Sequence, residues 1–488
     1  MTSVLGDERL FEVEMGEAVP RAGAPVGEAK TFRRYDQSQQ FLLPPSLDEW
    51  LDEDDEARFV SEVVEQLLDL TPIYSSYESA SGAPPYEPRM MLKLLMYGYA
   101  TGVTSSREIE RRCRRDIAFR WLAANTAPDY RSISRFRRRH LDALRPLFLQ
   151  VLGLCAKAGL VRLGRVALDG TKLLANASRH KAMSYDHIVP KIEQLQAEVD
   201  AMLAEAEAID QAEDEAFGED HRGDEVAPEL RRRESRLEKL RAAKEAIEAE
   251  AREKAEAAAR EKAEAAGKSV EEIAAAGVAA AEKARPKPSA QRNFTDPEAR
   301  MMKTNHGFTY AFNAQAVVDE QSQVALCAEV TDEAGDVDQL VPMTEKTEEN
   351  LTEAGIDASP KTLLADAGYC SEDNLEAAEG LSPDVLCATG RERRGEKFQK
   401  TPRGPVPKNA TRREKMARRL RTKNGRADYA RRKAIVEPVF GQVKVRQHAG
   451  QLRLRGLDGA QGEWTLHMIC HNLRKLRNVG GIASLGFA

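Results

Sequence analysis

Three acidic residues stand where chemistry is possible. Asp169 closes the apolar run of RVALDGT, Asp366 closes that of TLLADAGY, and Glu437 sits in AIVEPVFGQVK beside basic residues. Each aspartate follows a short strand-like run and precedes a small residue and then a polar segment. Taken alone, each is also an ordinary turn or cap residue, since Asp-Gly and similar pairs end strands. Taken together, two strand-end carboxylates on neighbouring strands can share one hard cation. Three are few for a calcium cage but suit Mg²⁺, which keeps waters and accepts phosphate oxygens. Two such ions about 3.5–4 Å apart activate one oxygen and stabilise another in phosphoryl transfer.

The elements around these residues are read from periodicity. Residues 1–40, with Gly, Pro and mixed charge, read as poorly ordered, and 41–160 as short helices. One of these helices carries Arg137, Arg138 and Arg139, either as a DNA-facing element of a helix-turn-helix array or as a solvated face. Within 186–285, Ile188, Ile192, Leu195, Val199, Met202, Ala206 and Ile209 recur at heptad steps, and Leu230, Leu237, Leu240 and Ile247 resume the pattern. That predicts an antiparallel coiled-coil hairpin, serving as a spacer or a partner surface. A further helix begins with a capping box at Ser269 and Glu272.

From HGFTYAFNAQAVVD onward the period becomes two, which predicts a hairpin with SQVALCAEVT. Helices and strands then alternate through Asp366 to a helix bearing Glu437 and Pro438, a proline expected in a first turn or at a kink. The expected class is α/β: a mixed sheet flanked by helices, formed by 161–185 and 286–480, with 186–285 inserted.

Composition excludes several alternatives. The six cysteines form no CxxC clip, so reduced thiols are expected rather than a disulfide framework or a zinc site. His467 and His471 lie four apart on a helix, a spacing that could bind metal but is read as packing. His306 and His448 have no partner motif. No run approaches the roughly 20 apolar residues of a membrane span, and the acidic start MTSVLGDERLFEVEMG is unlike a secretion signal. The net charge of −6 hides a basic stretch: 22 Lys/Arg against five Asp/Glu between Arg391 and Arg455. Such a run binds phosphate with strong salt dependence and little sequence selectivity.

The motifs VALDGTKLLANAS, NFTDPEARMMKTNHGFTYAFNAQAVVD, LLADAGYCSEDNL and YARRKAIVEPVFGQVK, in that order, resemble those of bacterial insertion-sequence DDE transposases. The helical segment YEPRMMLKLLMYGYATGVTSSREIERRC is similar as well. The resemblance spans about 40–478 and implies a ribonuclease H-like catalytic domain. It implies Asp169, Asp366 and Glu437 as the catalytic triad and metal ligands, with two Mg²⁺ (or Mn²⁺) ions. Tyr429, Arg432, Glu437 and Lys444 resemble a Tyr-Arg-Glu-Lys signature. The Arg432–Glu437 spacing is one residue longer than the common form, which makes Lys433 the alternative cation. Tyr429, Arg432 or Lys433, and Lys444 are then expected on DNA near the scissile bond, and Arg135, Arg137, Arg138 and Arg139 on the transposon ends.

The implied activity is phosphodiester cleavage at transposon ends followed by strand transfer. The implied setting is the bacterial cytoplasm at the nucleoid, with DNA as partner, no membrane, and a homodimer or higher assembly on DNA. An endonuclease without strand transfer and a non-catalytic DNA-binding protein are the alternatives.

Overall fold

The computed structural model describes residues 46–77, 84–178, 181–217, 228–304, 307–390, 403–407 and 409–486. The poorly ordered N-terminus expected over 1–40, His306 and part of the basic stretch (391–402 and 408) lie outside the described residues. Among those described, no helix is long and apolar enough to cross a membrane.

The N-terminal segment forms α1 (Leu47–Trp50), α2 (Glu56–Gln66), α3 (Thr71–Tyr74), α4 (Pro88–Ala100), α5 (Ser106–Arg115), α6 (Ile117–Leu122), α7 (Tyr130–Arg139) and α8 (Leu141–Lys157). Within 46–70 the helical run is split, because the Asp55 side chain accepts from the Ala57 amide and starts α2 anew. Helix α4 starts at Pro88, with Glu87 accepting from the Met90 amide, and the chain turns away at Gly102, whose φ is +81°.

Strands β1 (Arg165–Leu174) and β2 (Ala182–Ser184) follow, then α9 (Tyr185–Phe217), α10 (Pro228–Ala265) and α11 (Val270–Lys283). Next come β3 (Gln291–Asn293), β4 (Arg300–Thr304), β5 (Gly307–Asp319), β6 (Ala325–Thr331), α12 (Leu340–Glu353), β7 (Thr362–Ala365), α13 (Glu372–Ala377) and β8 (Asp384–Cys387). The chain ends in α14 (Arg412–Leu420), α15 (Lys423–Ala430), α16 (Arg432–Arg446) and α17 (Leu457–Asn478).

The main sheet is mixed, in the order β4-β5-β1-β7-β8, with β6 also on β5. Strand β5 runs antiparallel to β1, β4 and β6, whereas β1, β7 and β8 are parallel. The sequence reading missed β4, which pairs along the first half of β5. In β5 the apolar residues alternate with mainly polar ones, the pattern of a half-solvated strand. Asn313 and Gln315 are instead fully buried, because the segment leading into α12 covers that face.

Helix α17 is buried on nearly every side, as expected of a core helix. It packs on α8 and α4 as well as on β6. The described residues from Leu47 on therefore form one compact unit, and the N-terminal helices share a core with the sheet. Pro438 lies inside α16 rather than in its first turn. The Ala434 carbonyl, which Pro438 cannot serve, accepts from Gln323 Nε2 at 3.1 Å.

Helices α9 and α10 run antiparallel: Tyr185 bonds Glu248, while Arg233 lies beside Glu198. Ile188, Leu195, Leu237, Leu240, Ala243 and Ile247 form their buried seam, with Ile192 at its edge. Ser269 and Glu272 form the expected capping box at the start of α11.

Candidate active site

The run Val166-Ala167-Leu168 is fully buried in the centre of the sheet, and its β-branched and apolar side chains fix where β1 ends its hydrophobic stretch. Asp169 follows at once. Strand β7 lies beside β1 in parallel, with Val166 opposite Leu363. Asp169 and Asp366 are each three residues further on, so they occupy neighbouring positions where the β1–β7 pairing ends. Strand β7 stops at Ala365, but β1 runs on against β5 to Leu174, so Asp169 does not close its strand as its turn-like Asp-Gly pair suggested.

Asp366 Oδ1 accepts from the Gly368 amide at 2.7 Å, which turns the chain off the strand. Its carbonyl accepts from the Cys387 thiol at 3.0 Å. Asp169 Oδ2 accepts from Arg432 Nη1 at 2.8 Å, with side-chain exposures of 18% and 9%. Burial pushes the Asp169 carboxyl up to about 6. The Arg432 guanidinium opposes that rise, and the nearby charge of Asp366 adds to it.

The rest of the expected set divides. Tyr429 is half-buried and hydrogen-bonds Arg432, and burial raises its hydroxyl to about 12. The structure therefore singles out Arg432, not the exposed Lys433, as the cation at Asp169. Lys444 Nζ donates to the Lys172 carbonyl on β1 at 3.1 Å, and burial lowers its pKa.

Helix α16 thus touches β1 through both Arg432 and Lys444, and Glu437 lies between them in sequence. The Glu437 side chain is exposed. Among the described residues, no group of three or more His, Cys, Asp or Glu side chains is arranged to hold a metal. The expected convergence of three carboxylates is therefore not seen. The apolar face of α16 (Ile435, Val436, Val439, Phe440, Val443) packs inward and sets the rotation that leaves Glu437 outward. The Asp169–Asp366 pair alone fits a hard cation, as adjacent oxygen donors whose mutual repulsion a divalent ion would relieve.

Arg137 requires correction as a DNA contact. It is 6% exposed, and its Nη1 donates to the Tyr99 hydroxyl at 2.7 Å and the Thr104 carbonyl at 3.0 Å. Tyr99 in turn donates to buried Glu463 at 2.9 Å. The inward turn follows from helix phase, because Arg137 shares a face with Ile133 and follows Phe136. Arg135, Arg138 and Arg139 remain exposed, with Arg139 stacked 4.4 Å over the Tyr77 ring.

Within the basic stretch, several arginines are tied to the protein itself. Arg412 bridges Glu376 and Glu379, Arg419 pairs with Asp384, and Arg431 with Glu320. Its phosphate-binding capacity is smaller than the count of charges implies.

His467 and His471 are buried packing residues. Burial lowers them to about 3 and about 4. His471 Nε2 lies 2.8 Å from the Gln323 carbonyl, and His467 Nδ1 lies 3.0 Å from Gln447 Oε1. Sequence reading missed a polar cluster beside the two aspartates, comprising Lys172, Asn313, Gln315, Asp336 and Tyr369. Its only sequence signal was the pair of amides interrupting the apolar residues of FNAQAVV.

The site therefore comprises two neighbouring aspartates on a mixed sheet flanked by arginine-rich helices. Two family models match the chain: "Transposase domain (DUF772)" over residues 45–139 and "Transposase DDE domain" over residues 283–473. The chain belongs to the insertion-sequence DDE transposases. The second match includes Asp366 and Glu437 and begins after Asp169. No curated protein and no solved structure matches the chain.

Proposed function

We propose that this transposase, on a ribonuclease H-like sheet, cleaves DNA at transposon ends and joins the freed 3′-hydroxyl to target DNA. The observation that carries this reading is the adjacency of Asp169, midway along β1, and Asp366, just past the end of the parallel strand β7. Asp169 and Asp366 would hold divalent metal, with Glu437 as the third ligand once α16 and DNA close on the site. Two Mg²⁺ or Mn²⁺ ions, when bound, would activate the attacking oxygen and stabilise the leaving one.

The protein's own groups have separate tasks. Arg432 keeps Asp169 ionised and oriented in a half-closed setting. Its Nε is buried without a partner and is suited to a phosphate oxygen. Tyr429 braces Arg432, and Lys444 and exposed Lys433 supply positive charge along α16. Exposed Arg135, Arg138 and Arg139 are the N-terminal candidates for the DNA ends. The helical projection α9–α11 acts as a spacer outside the sheet.

Asp366→Asn keeps shape and removes a metal-binding charge. It should abolish Mg²⁺-dependent nicking of end DNA and leave end binding intact, measured on one preparation. Nicking at the wild-type rate would overturn the reading. A strand-transfer assay with labelled ends and a target plasmid distinguishes joining from cleavage alone.

A further inference from the structure

Asp336 lies between β6 and α12, just before a short 3₁₀ turn (Val337–Gln339) whose amides its side chain does not cap. The carboxylate turns toward the sheet instead. Its Oδ1 accepts from Asn313 Nδ2 at 2.8 Å and Gln315 Nε2 at 2.9 Å, and Lys172 Nζ lies 3.4 Å away. The β1–β5 register explains this convergence. Gly170 is opposite Gln315 and Lys172 is opposite Asn313, so all four face the same way. Buried amides in a central strand are costly unless bonded, and Asp336 supplies their acceptor.

The same carboxylate lies against the part of β1 that follows Asp169 and against the turn that follows Asp366. A Cβ at Gly170, next to Asp169, would lie 2.8 Å from Asp336 Oδ1 and 2.5 Å from Gln315 Nε2. A Cβ at Gly368, whose amide is bonded to Asp366, would lie 3.3 Å from Asp336 Oδ2 and 2.9 Å from Asp366 Oδ1. Asp336 is thus wedged between the two segments, one oxygen against each. Tyr369 closes the cluster by donating to Gln315 Oε1. Asn313 Oδ1, fully buried and without a partner, faces the same spot beside Gly170.

We propose that Asp336 is a positioning residue of the cleavage site, setting the separation of Asp169 and Asp366 through Gly170 and Gly368. The inference rests on the reading of those two aspartates as metal ligands. Asp336 acts by shape and by accepting two amide donors, so an isosteric acceptor should largely replace it. Supporting residues of this kind change metal affinity by about 10–100-fold when removed.

The test uses the full chain, with Mn²⁺ binding followed by electron paramagnetic resonance and Mg²⁺ dependence followed by nicking. Asp336→Ala should weaken Mn²⁺ binding and raise the Mg²⁺ requirement by about tenfold or more, with metal-free end binding unchanged. Asp336→Asn should stay within about threefold of the wild-type protein, since Asn Oδ1 still serves both amides. Gly170→Ala, whose Cβ would meet Asp336 Oδ1 and Gln315 Nε2 but neither aspartate ligand, should repeat the Asp336→Ala shift, and it carries the test if Asp336→Ala does not fold. Wild-type Mn²⁺ affinity in Asp336→Ala, or in Gly170→Ala, overturns the proposal. Equal damage in Asp336→Asn and Asp336→Ala also overturns it, by making the charge itself the functional element. Asp366→Asn is the separate control: if it still binds Mn²⁺ and nicks, the metal-ligand reading has failed; if it is inactive and Asp336→Ala is normal, only the positioning role has.

Discussion

Arg432 Nη1 and Asp169 Oδ2 meet at 2.8 Å across the junction of helix α16 and strand β1, both side chains largely buried. One bond thereby joins the sheet residue to a helix 263 positions later in the chain. Such a pair is costly to break on one side, because the remaining charge stays buried.

Arg432→Met should therefore destabilise the protein by about 3 kcal/mol in urea unfolding. The double variant Asp169→Asn with Arg432→Met should recover most of that loss, since no unpaired charge remains. Additive losses in the double-mutant cycle would show that the pair contributes nothing to stability.

Arg137→Ala should act on stability rather than on DNA discrimination. It removes the donor to Tyr99 and Thr104 from a buried network that includes Glu463. The expected cost is about 2–3 kcal/mol, with end-versus-random DNA preference unchanged in the fraction that remains folded. Arg135→Ala is the contrast: stability unchanged, and a salt slope of DNA binding reduced by about one unit, as for one phosphate contact.

Acid should weaken the fold through its buried histidines. His471 is pushed down to about 4 and His467 to about 3, both below the unfolded value near 6.5. Stability from keeping them neutral is complete above that value and is lost as pH falls from about 6.5 toward the folded values. His471 alone should cost about 2 kcal/mol between pH 7 and pH 5. His471→Gln retains a donor for the Gln323 carbonyl and should lose less stability over that interval. Identical pH dependence in variant and wild type would contradict the assignment.

Leu195→Asp should loosen the α9–α10 pair and spare the sheet. Leu195 is 3% exposed within a seam separate from the main core. Hydrogen exchange should accelerate over 185–205 and 228–250 while β1 and β5 stay protected, because local units open independently. Loss of protection in both regions together would mean that the projection and the sheet unfold as one.

Much of the architecture is local and could be read from the sequence alone. Apolar runs such as RVAL and TLLA predict short buried strands; β7 does stop before Asp366, whereas β1 continues past Asp169 to Leu174 because β5 pairs with it there. Heptad steps predict the α9–α10 pair, and the Ser269–Glu272 spacing predicts the capping box of α11. These features depend on residues within a few positions of one another, where period and turn chemistry suffice. The family resemblance likewise rested on contiguous motifs.

What tertiary structure alone decided is which face of each element is covered. Arg137, within a run of exposed arginines, turns inward because α7 packs its Ile133 face on the core. Asn313 and Gln315 alternate as solvent residues should, but Asp336, arriving from beyond β6, buries and pairs them. Arg432 rather than Lys433 reaches Asp169 because the apolar face of α16 fixes the helix rotation, and the same rotation leaves Glu437 exposed. Each outcome depends on a partner dozens to hundreds of residues away, so the local pattern that specifies a helix or strand carries no record of it.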